Sequence, residues 1–149
     1  LGDVYKRQVS FNATWQKSLD YSKYIAGTNT ESETYKMQLP HIPILFFNWM
    51  LDYRKDNPFG GKGQYARAYY EGGYTDKYYY GYELSRHQDY KIPSACLHTV
   101  GLEYGIMNRK VLFGVECHNL FDTDEMTNFN YPLAGRTVMA KIRFTTLKW

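Results

Sequence analysis

The residues that could carry out chemistry in this chain are few and widely spaced. Glu116 and His118 would lie on one side of an extended strand, but two residues on one strand are a weak sign of acid–base catalysis. The sequence has no serine or cysteine nucleophile motif, and its histidines lack the spacing of metal ligands. We therefore predict that the protein is not an enzyme and has no metal site or cofactor. The four histidines are His41, His87, His98 and His118.

The segment that holds Glu116 and His118 alternates in the manner of a strand. One side would carry Val111, Phe113, Val115 and Cys117, and the other would carry Leu112, Gly114, Glu116 and His118. Such a strand fits a soluble sheet when its apolar side faces a protein core, and a membrane barrel when that side faces lipid. Alternation alone does not choose between these two environments.

Length and composition indicate one all-β domain. The 149 residues suit a single domain, and the net charge of +3 is too small and too dispersed to predict nucleic-acid binding. The longest nearly apolar stretch, residues 42–51, falls far short of the roughly 20 residues that a membrane helix needs. Aromatic residues make up 18% of the chain, which favours strands. Residues 1–8 fit no periodic pattern and resemble translated adapter sequence, so we expect a non-native stub before a domain at residues 9–149.

Six strands are predicted, and the connections between them alternate between long and short. A transmembrane barrel has short turns at one end and long loops at the other, and its tilted strands need about nine to eleven residues to cross the hydrocarbon. On these two features alone, a transmembrane barrel and a soluble barrel fit the sequence equally well. The predicted strands are residues 9–16, 39–53, 64–72, 96–104, 111–118 and 138–144. The connections are residues 17–38, 56–63, 73–94, 105–109 and 123–135.

The segment after the fifth strand resembles the C-terminal end of TonB-dependent outer-membrane receptors. That family typically shows an Asn-Leu-Phe-Asp element, a loop, a Tyr-Pro-x-Pro-Gly-Arg element and the last barrel strand. Ala134 stands here where the family has its second proline. The segments LPHIP and KIPSACLHTVGLEY are similar to the family's earlier strand openings. The residues that carry the motif are Asn119, Leu120, Phe121, Asp122, Tyr131, Pro132, Gly135 and Arg136.

The resemblance implies an antiparallel meander of about six strands that forms the C-terminal part of a 22-stranded transmembrane β-barrel. Residues 9–149 would be a partial outer-membrane barrel without the plug domain. The implied function is active import of a siderophore, cobalamin or similar large nutrient across the outer membrane of a Gram-negative bacterium. Its partners would be outer-membrane lipid, the extracellular ligand and a TonB complex that acts through the missing plug. The alternatives are a passive porin-like or adhesin barrel and a soluble ligand-binding β-barrel.

In a transmembrane barrel, charged side chains face the lumen and apolar side chains face the lipid, where a charge costs about 2–4 kcal/mol at mid-depth. The expected lumen-facing residues are Asp52, Arg67, Glu103, Glu116, His118, Lys141 and Arg143. The expected lipid-facing residues are Phe47, Trp49, Leu51, Val100, Leu102, Val111, Phe113, Val115, Val138, Ile142 and Phe144.

The connection at residues 73–94 is rich in tyrosine. At an extracellular mouth, Tyr78, Tyr79, Tyr80 and Tyr82 could stack on a catecholate, corrin or sugar ligand. The alternative is that they form an interfacial girdle or pack the loops.

The two cysteines raise the possibility of a cross-strand disulfide. If the fourth turn centres near Ile106 and Met107, Cys96 faces Cys117. Opposed cysteines in an oxidising compartment can form a bridge when their Cβ atoms come within about 3.5–4.5 Å. The alternative is that both are small apolar fillers.

Overall fold

The computed structural model describes residues 6–81, 91–128 and 131–146. No helix that could cross a membrane occurs in these ranges, which contain strands, turns and irregular segments. The prediction of an all-β protein is therefore confirmed. The strands are β1 (Arg7–Trp15), β2 (Leu45–Asp56), β3 (Tyr65–Thr75), β4 (Tyr78–Tyr79), β5 (Lys91–Ile92), β6 (Ala95–Ile106), β7 (Val111–His118), β8 (Met126–Asn128), β9 (Tyr131–Pro132) and β10 (Thr137–Phe144).

The six long strands form one antiparallel sheet in the order β1-β2-β3-β6-β7-β10. The remaining strands form two small ribbons, β4 with β5 and β8 with β9, inside the long connections. The six-stranded antiparallel meander is thus confirmed. Because the connections alternate between long and short, the three long ones leave from the same end of the sheet. We call this the loop end, and we call the opposite end the turn end.

The starts of the first two strands differ from the prediction by two or more residues. The strand expected at residues 39–53 begins at Leu45, because Pro40 and Pro43 have no N–H to donate to a neighbouring strand. The first strand begins at Arg7, ahead of the domain boundary expected at residue 9. Arg7 pairs with Tyr53, so the first strand includes the end of the segment that the sequence had marked as a stub.

The hairpin between β6 and β7 turns later than predicted. β6 continues through Ile106, and the next three residues, Met107, Asn108 and Arg109, adopt φ values of 54°, 55° and 66°. Positive φ is uncommon outside glycine, and the sequence gives little sign of it at Met107 and Arg109. The turn is therefore built from residues 107–110, and the register of the hairpin moves accordingly.

The shifted register separates the two cysteines. Cys117 faces Val100 on β6, four residues along the strand from Cys96. Cys96 lies opposite Tyr74 on β3, and both cysteines are free. The predicted pairing of Cys96 with Cys117, and the disulfide that depended on it, are therefore wrong.

This separation predicts the outcome of a thiol titration. We expect two free thiols per chain when the denatured, unreduced protein reacts with a chromogenic thiol reagent, because the two sulfurs do not face each other. A chain reduced before denaturation serves as the reference and should give the same value. Fewer than two thiols before reduction and two after it would contradict this register.

One face of the sheet is polar and the other is apolar, and the polar face is the better buried. Asp52 is only 4% exposed on the polar face, whereas Leu102 is 60% exposed on the apolar face. A sheet with one face on a protein core shows the reverse distribution. The buried residues of the six long strands all lie on the polar face: Asp52, Tyr65, Tyr69, Ala95, Gly101, Gly105, Leu112 and Gly114.

Candidate functional site

A network of charged side chains crosses the polar face from the second strand of the sheet to its last. Acids and bases alternate along it, so each charge lies beside a charge of opposite sign. We call this network the charged ladder. Its members are Asp52, Arg54, Arg67, Tyr69, Glu103, Glu116 and Lys141.

The β2–β3 part of the ladder is centred on Asp52. Its carboxylate accepts hydrogen bonds from Arg54 Nε at 2.8 Å and from Arg67 Nε at 2.6 Å. Arg67 also lies 3.7 Å from a carboxylate oxygen of Glu103 on β6. A carboxylate with two guanidinium partners is well compensated for its loss of water.

The β6–β10 part of the ladder is centred on Lys141. Its ammonium lies 3.3 Å from Glu103 and donates a hydrogen bond to Glu116, so it bridges two carboxylates on different strands. Glu116 also lies 3.2 Å from His118 Nε2 and accepts a hydrogen bond from the Tyr69 hydroxyl. These acids and bases bond to one another, so the charges of the ladder are paired within it.

Two glycines let long side chains of the ladder cross the sheet. The ring of Tyr69 lies over Gly101, which brings its hydroxyl from β3 to Glu116 on β7. The aliphatic part of Lys141 lies over Gly114, which brings its ammonium from β10 to Glu103 on β6. A Cβ at Gly101 would overlap the Tyr69 ring, so this arrangement requires glycine there, and a Cβ at Gly114 would displace the Lys141 side chain.

The first of these glycines gives a stability prediction. Gly101→Ala should lower the free energy of unfolding by about 1–3 kcal/mol, because the methyl group displaces Tyr69. Urea denaturation measures the change. Gly81→Ala is the control, since a Cβ at Gly81 meets open space, and it should change stability far less. Equal effects of the two substitutions would contradict the role given to Gly101.

The structure brings most of the expected lumen-facing residues together. Asp52, Arg67, Glu103, Glu116 and Lys141 are members of the ladder, and His118 contacts its Glu116. Arg143 shares this face, but it is exposed and makes no ion pair within the described ranges. Arg54 and Tyr69 were missed. Arg54 lies one residue beyond the predicted strand end at residue 53. Continuing the alternation past that end would have placed it on the polar face.

The register places every expected lipid-facing residue on the apolar face. Their side chains point away from the ladder, and several are more than half exposed, including Leu102 and Ile142. The set comprises Phe47, Trp49, Leu51, Val100, Leu102, Val111, Phe113, Val115, Val138, Ile142 and Phe144.

Aromatic side chains gather at both ends of the apolar face. Toward the loop end, Phe47 lies 5.9 Å from Phe11, 5.6 Å from Trp49 and 5.0 Å from Tyr74, measured between ring centroids. Toward the turn end, the rings of Phe59 and Tyr104 are 6.0 Å apart. Aliphatic residues such as Leu51 and Val115 lie between the two groups. This banding resembles the aromatic girdles of membrane barrels.

The apolar face also carries a polar cluster around His98 that the sequence did not reveal. His98 Nδ1 lies 2.6 Å from the Tyr70 hydroxyl, and His98 Nε2 lies 3.4 Å from the Cys96 sulfur. The rings of Trp49 and Phe121 pack against the imidazole at 5.6 and 4.7 Å. Because the imidazole has a partner at each nitrogen and rings around it, a histidine is tolerated on this face.

The described tyrosines of the second long connection pack within that connection and against the first one. Tyr78 pairs with Ile92 in the β4–β5 ribbon, and the Tyr80 ring lies 5.3 Å from the ring of His41. The Tyr79 carbonyl accepts a hydrogen bond from the His41 amide at 2.8 Å. Burial raises the pKa of the Tyr78 hydroxyl, and the nearby Glu125 carboxylate raises it further. Tyr82 lies outside the described residues.

The two halves of the sequence motif meet in the last long connection. The Asn119 side chain donates to the Thr123 carbonyl and accepts from the Thr123 amide, both at 2.8 Å. An Asp122 carboxylate oxygen accepts a hydrogen bond from the Arg136 amide at 2.7 Å, and Gly135 lies against the same carboxylate. Leu120 donates its amide to the His98 carbonyl, which ties this loop to β6. The motif residues therefore fix the entry into the last strand.

Comparisons with protein-family models, curated proteins and solved structures give no match. The resemblance to TonB-dependent receptors therefore rests on the motif residues described above.

Proposed function

We propose that this chain is a segment of an outer-membrane β-barrel that imports a large nutrient, of the TonB-dependent receptor type. The observation that carries the proposal is the arrangement of the two faces: the charged face is the better buried, and the apolar face is exposed. In water, this arrangement leaves many apolar side chains solvated and is unfavourable. In a bilayer, lipid contacts the apolar face, and the charged ladder faces a polar lumen.

The geometry of the sheet supports the same environment. The three long connections leave from one end, and aromatic residues band both ends of the apolar face. Membrane barrels have long loops outside the cell, short periplasmic turns and an aromatic girdle at each interface. The loop end would therefore face the exterior, and residues 57–64 and 107–110 would face the periplasm.

The edges of the sheet support a larger barrel. Within the described ranges, β1 and β10 each pair with only one strand, so each leaves one edge unpaired. An unpaired backbone N–H or C=O in hydrocarbon costs several kcal/mol, so the sheet must be closed in the membrane. We propose that further strands of a 22-stranded barrel close it and that this chain supplies the last six. The sequence motif of residues 119–122 and 131–136 is what favours the receptor family over a porin.

Cell fractionation tests the membrane location. The protein that carries this chain should be found in the outer-membrane fraction of a Gram-negative host. It should resist carbonate extraction and migrate differently on electrophoresis before and after boiling, as folded barrels do. Folded protein in the soluble fraction would overturn the proposal. Nutrient uptake that is unchanged when TonB is deleted would instead indicate a passive porin.

A further inference from the structure

Not all of the polar face belongs to the charged ladder. Toward the loop end, the side chains of Ser10, Asn12, Asn48 and Glu71 make no hydrogen bond or ion pair with any residue in the described ranges. The ladder charges, by contrast, bond to one another. The polar face thus has a region whose hydrogen-bonding groups are available to a ligand.

These groups surround a recess of about 560 Å³. Gly73 has no side chain, and the Asn48 amide lies over it, while Met50 and Leu97 provide apolar surface. The volume lies within the range of about 300–1,000 Å³ that is usual for small-molecule sites. We call this feature the open recess. The polar side chains lining it are Ser10, Asn12, Asn48, Glu71 and Thr99.

The chemistry of the lining indicates the class of ligand. The amides of Asn12 and Asn48 each offer donors and an acceptor, and hydroxyl groups can act as either. The Glu71 carboxylate can accept hydrogen bonds from two hydroxyls. Met50 and Leu97 offer contact surface to the C–H groups of a sugar ring. The lining contains no Lys or Arg, so an anionic ligand such as a ferric catecholate would meet only the negative charge of Glu71.

We propose that the open recess binds a neutral, polyhydroxylated ligand, a saccharide. This inference rests on the proposed function and deepens it, because the recess would lie on the lumen wall near the outer mouth. It names the substrate class as saccharide and not as an anionic iron chelate. The charged ladder beside it would form the wall that the ligand passes.

Calorimetric titration tests this inference on the protein that carries this chain, purified in detergent. The probes are maltotriose, cellotriose and chitotriose, with citrate as the anionic comparison. At least one trisaccharide should bind, and citrate should not. Asn48→Ala and Glu71→Gln should each weaken the affinity about tenfold, the usual effect of losing a ligand hydrogen bond. Thr14→Ala is the matched control on the same face outside the recess, and its affinity should be unchanged.

Each outcome decides one of the two proposals. No binding of any trisaccharide, tighter binding of citrate, or unchanged affinity in both recess variants would overturn the saccharide inference. Circular dichroism verifies that each variant keeps its β structure before the titration. A membrane-located protein that binds no saccharide loses only this inference. A soluble protein that binds one with the expected variant effects retains the site and loses the membrane proposal.

Discussion

Leu102→Arg should destabilise the protein in a bilayer by about 2–4 kcal/mol. Leu102 lies at the centre of the apolar face, opposite Val115 and Ala68, and is 60% exposed. In a membrane, the new guanidinium would replace lipid contact with a charge at mid-depth. In water, the same substitution would add a solvated charge and change stability little. The environment of this face therefore decides the size of the effect.

Met139→Arg provides the matched control. Met139 is 47% exposed and lies on the polar face, opposite Glu116. A guanidinium there would lie near a carboxylate, so this substitution should be tolerated. Urea unfolding of the protein in lipid vesicles, followed by tryptophan fluorescence, measures both variants. Equal stabilities for Leu102→Arg and the parent protein would contradict a lipid-facing apolar face.

The strands and their two faces could be predicted from the sequence because alternation is a local signal. In residues 9–16 apolar and polar side chains alternate throughout, and in residues 111–118 one side is apolar throughout, so the side of the sheet follows from the residue order. Pro40 and Pro43 also indicated the start of a strand, but the predicted strand included them, whereas β2 begins at Leu45. Strand existence was thus predictable, and strand ends were less so.

Cross-strand partners could not be predicted in the same way. The β6–β7 register depends on positive φ at Met107 and Arg109, and these residue types do not predict such a turn. A small change in the turn therefore separated Cys96 from Cys117. The same limit applies to the ladder, where Tyr69 reaches Glu116 over Gly101. A side chain that spans three strands has no periodic signature in the sequence.

Asp52→Ala should cost about 3 kcal/mol of stability, the lower end of the range of about 3–5 kcal/mol for removing one partner of a buried ion pair. The Asp52 side chain is 1% exposed and holds both Arg54 and Arg67. Without it, two guanidiniums on neighbouring strands would face each other with no carboxylate between them. The lower end applies because Arg54 reaches water. Urea unfolding measures the loss.

Asp56→Ala is the control from the same strand and the same face. Asp56 pairs with Arg109 at 2.9 Å, but both side chains are more than half exposed, so water replaces the lost contact and the cost should stay below about 1 kcal/mol.

A second test separates charge from packing. Arg67→Met should reduce the loss of stability caused by Asp52→Leu, because the double variant leaves fewer unpaired charges. If Asp52→Ala costs no more than Asp56→Ala, the carboxylate is solvated and the ladder does not hold the strands together. A large loss of stability for Asp52→Ala alone would show that contacts on the charged face stabilise this sheet. This is expected where lipid, and not a protein core, covers the apolar face.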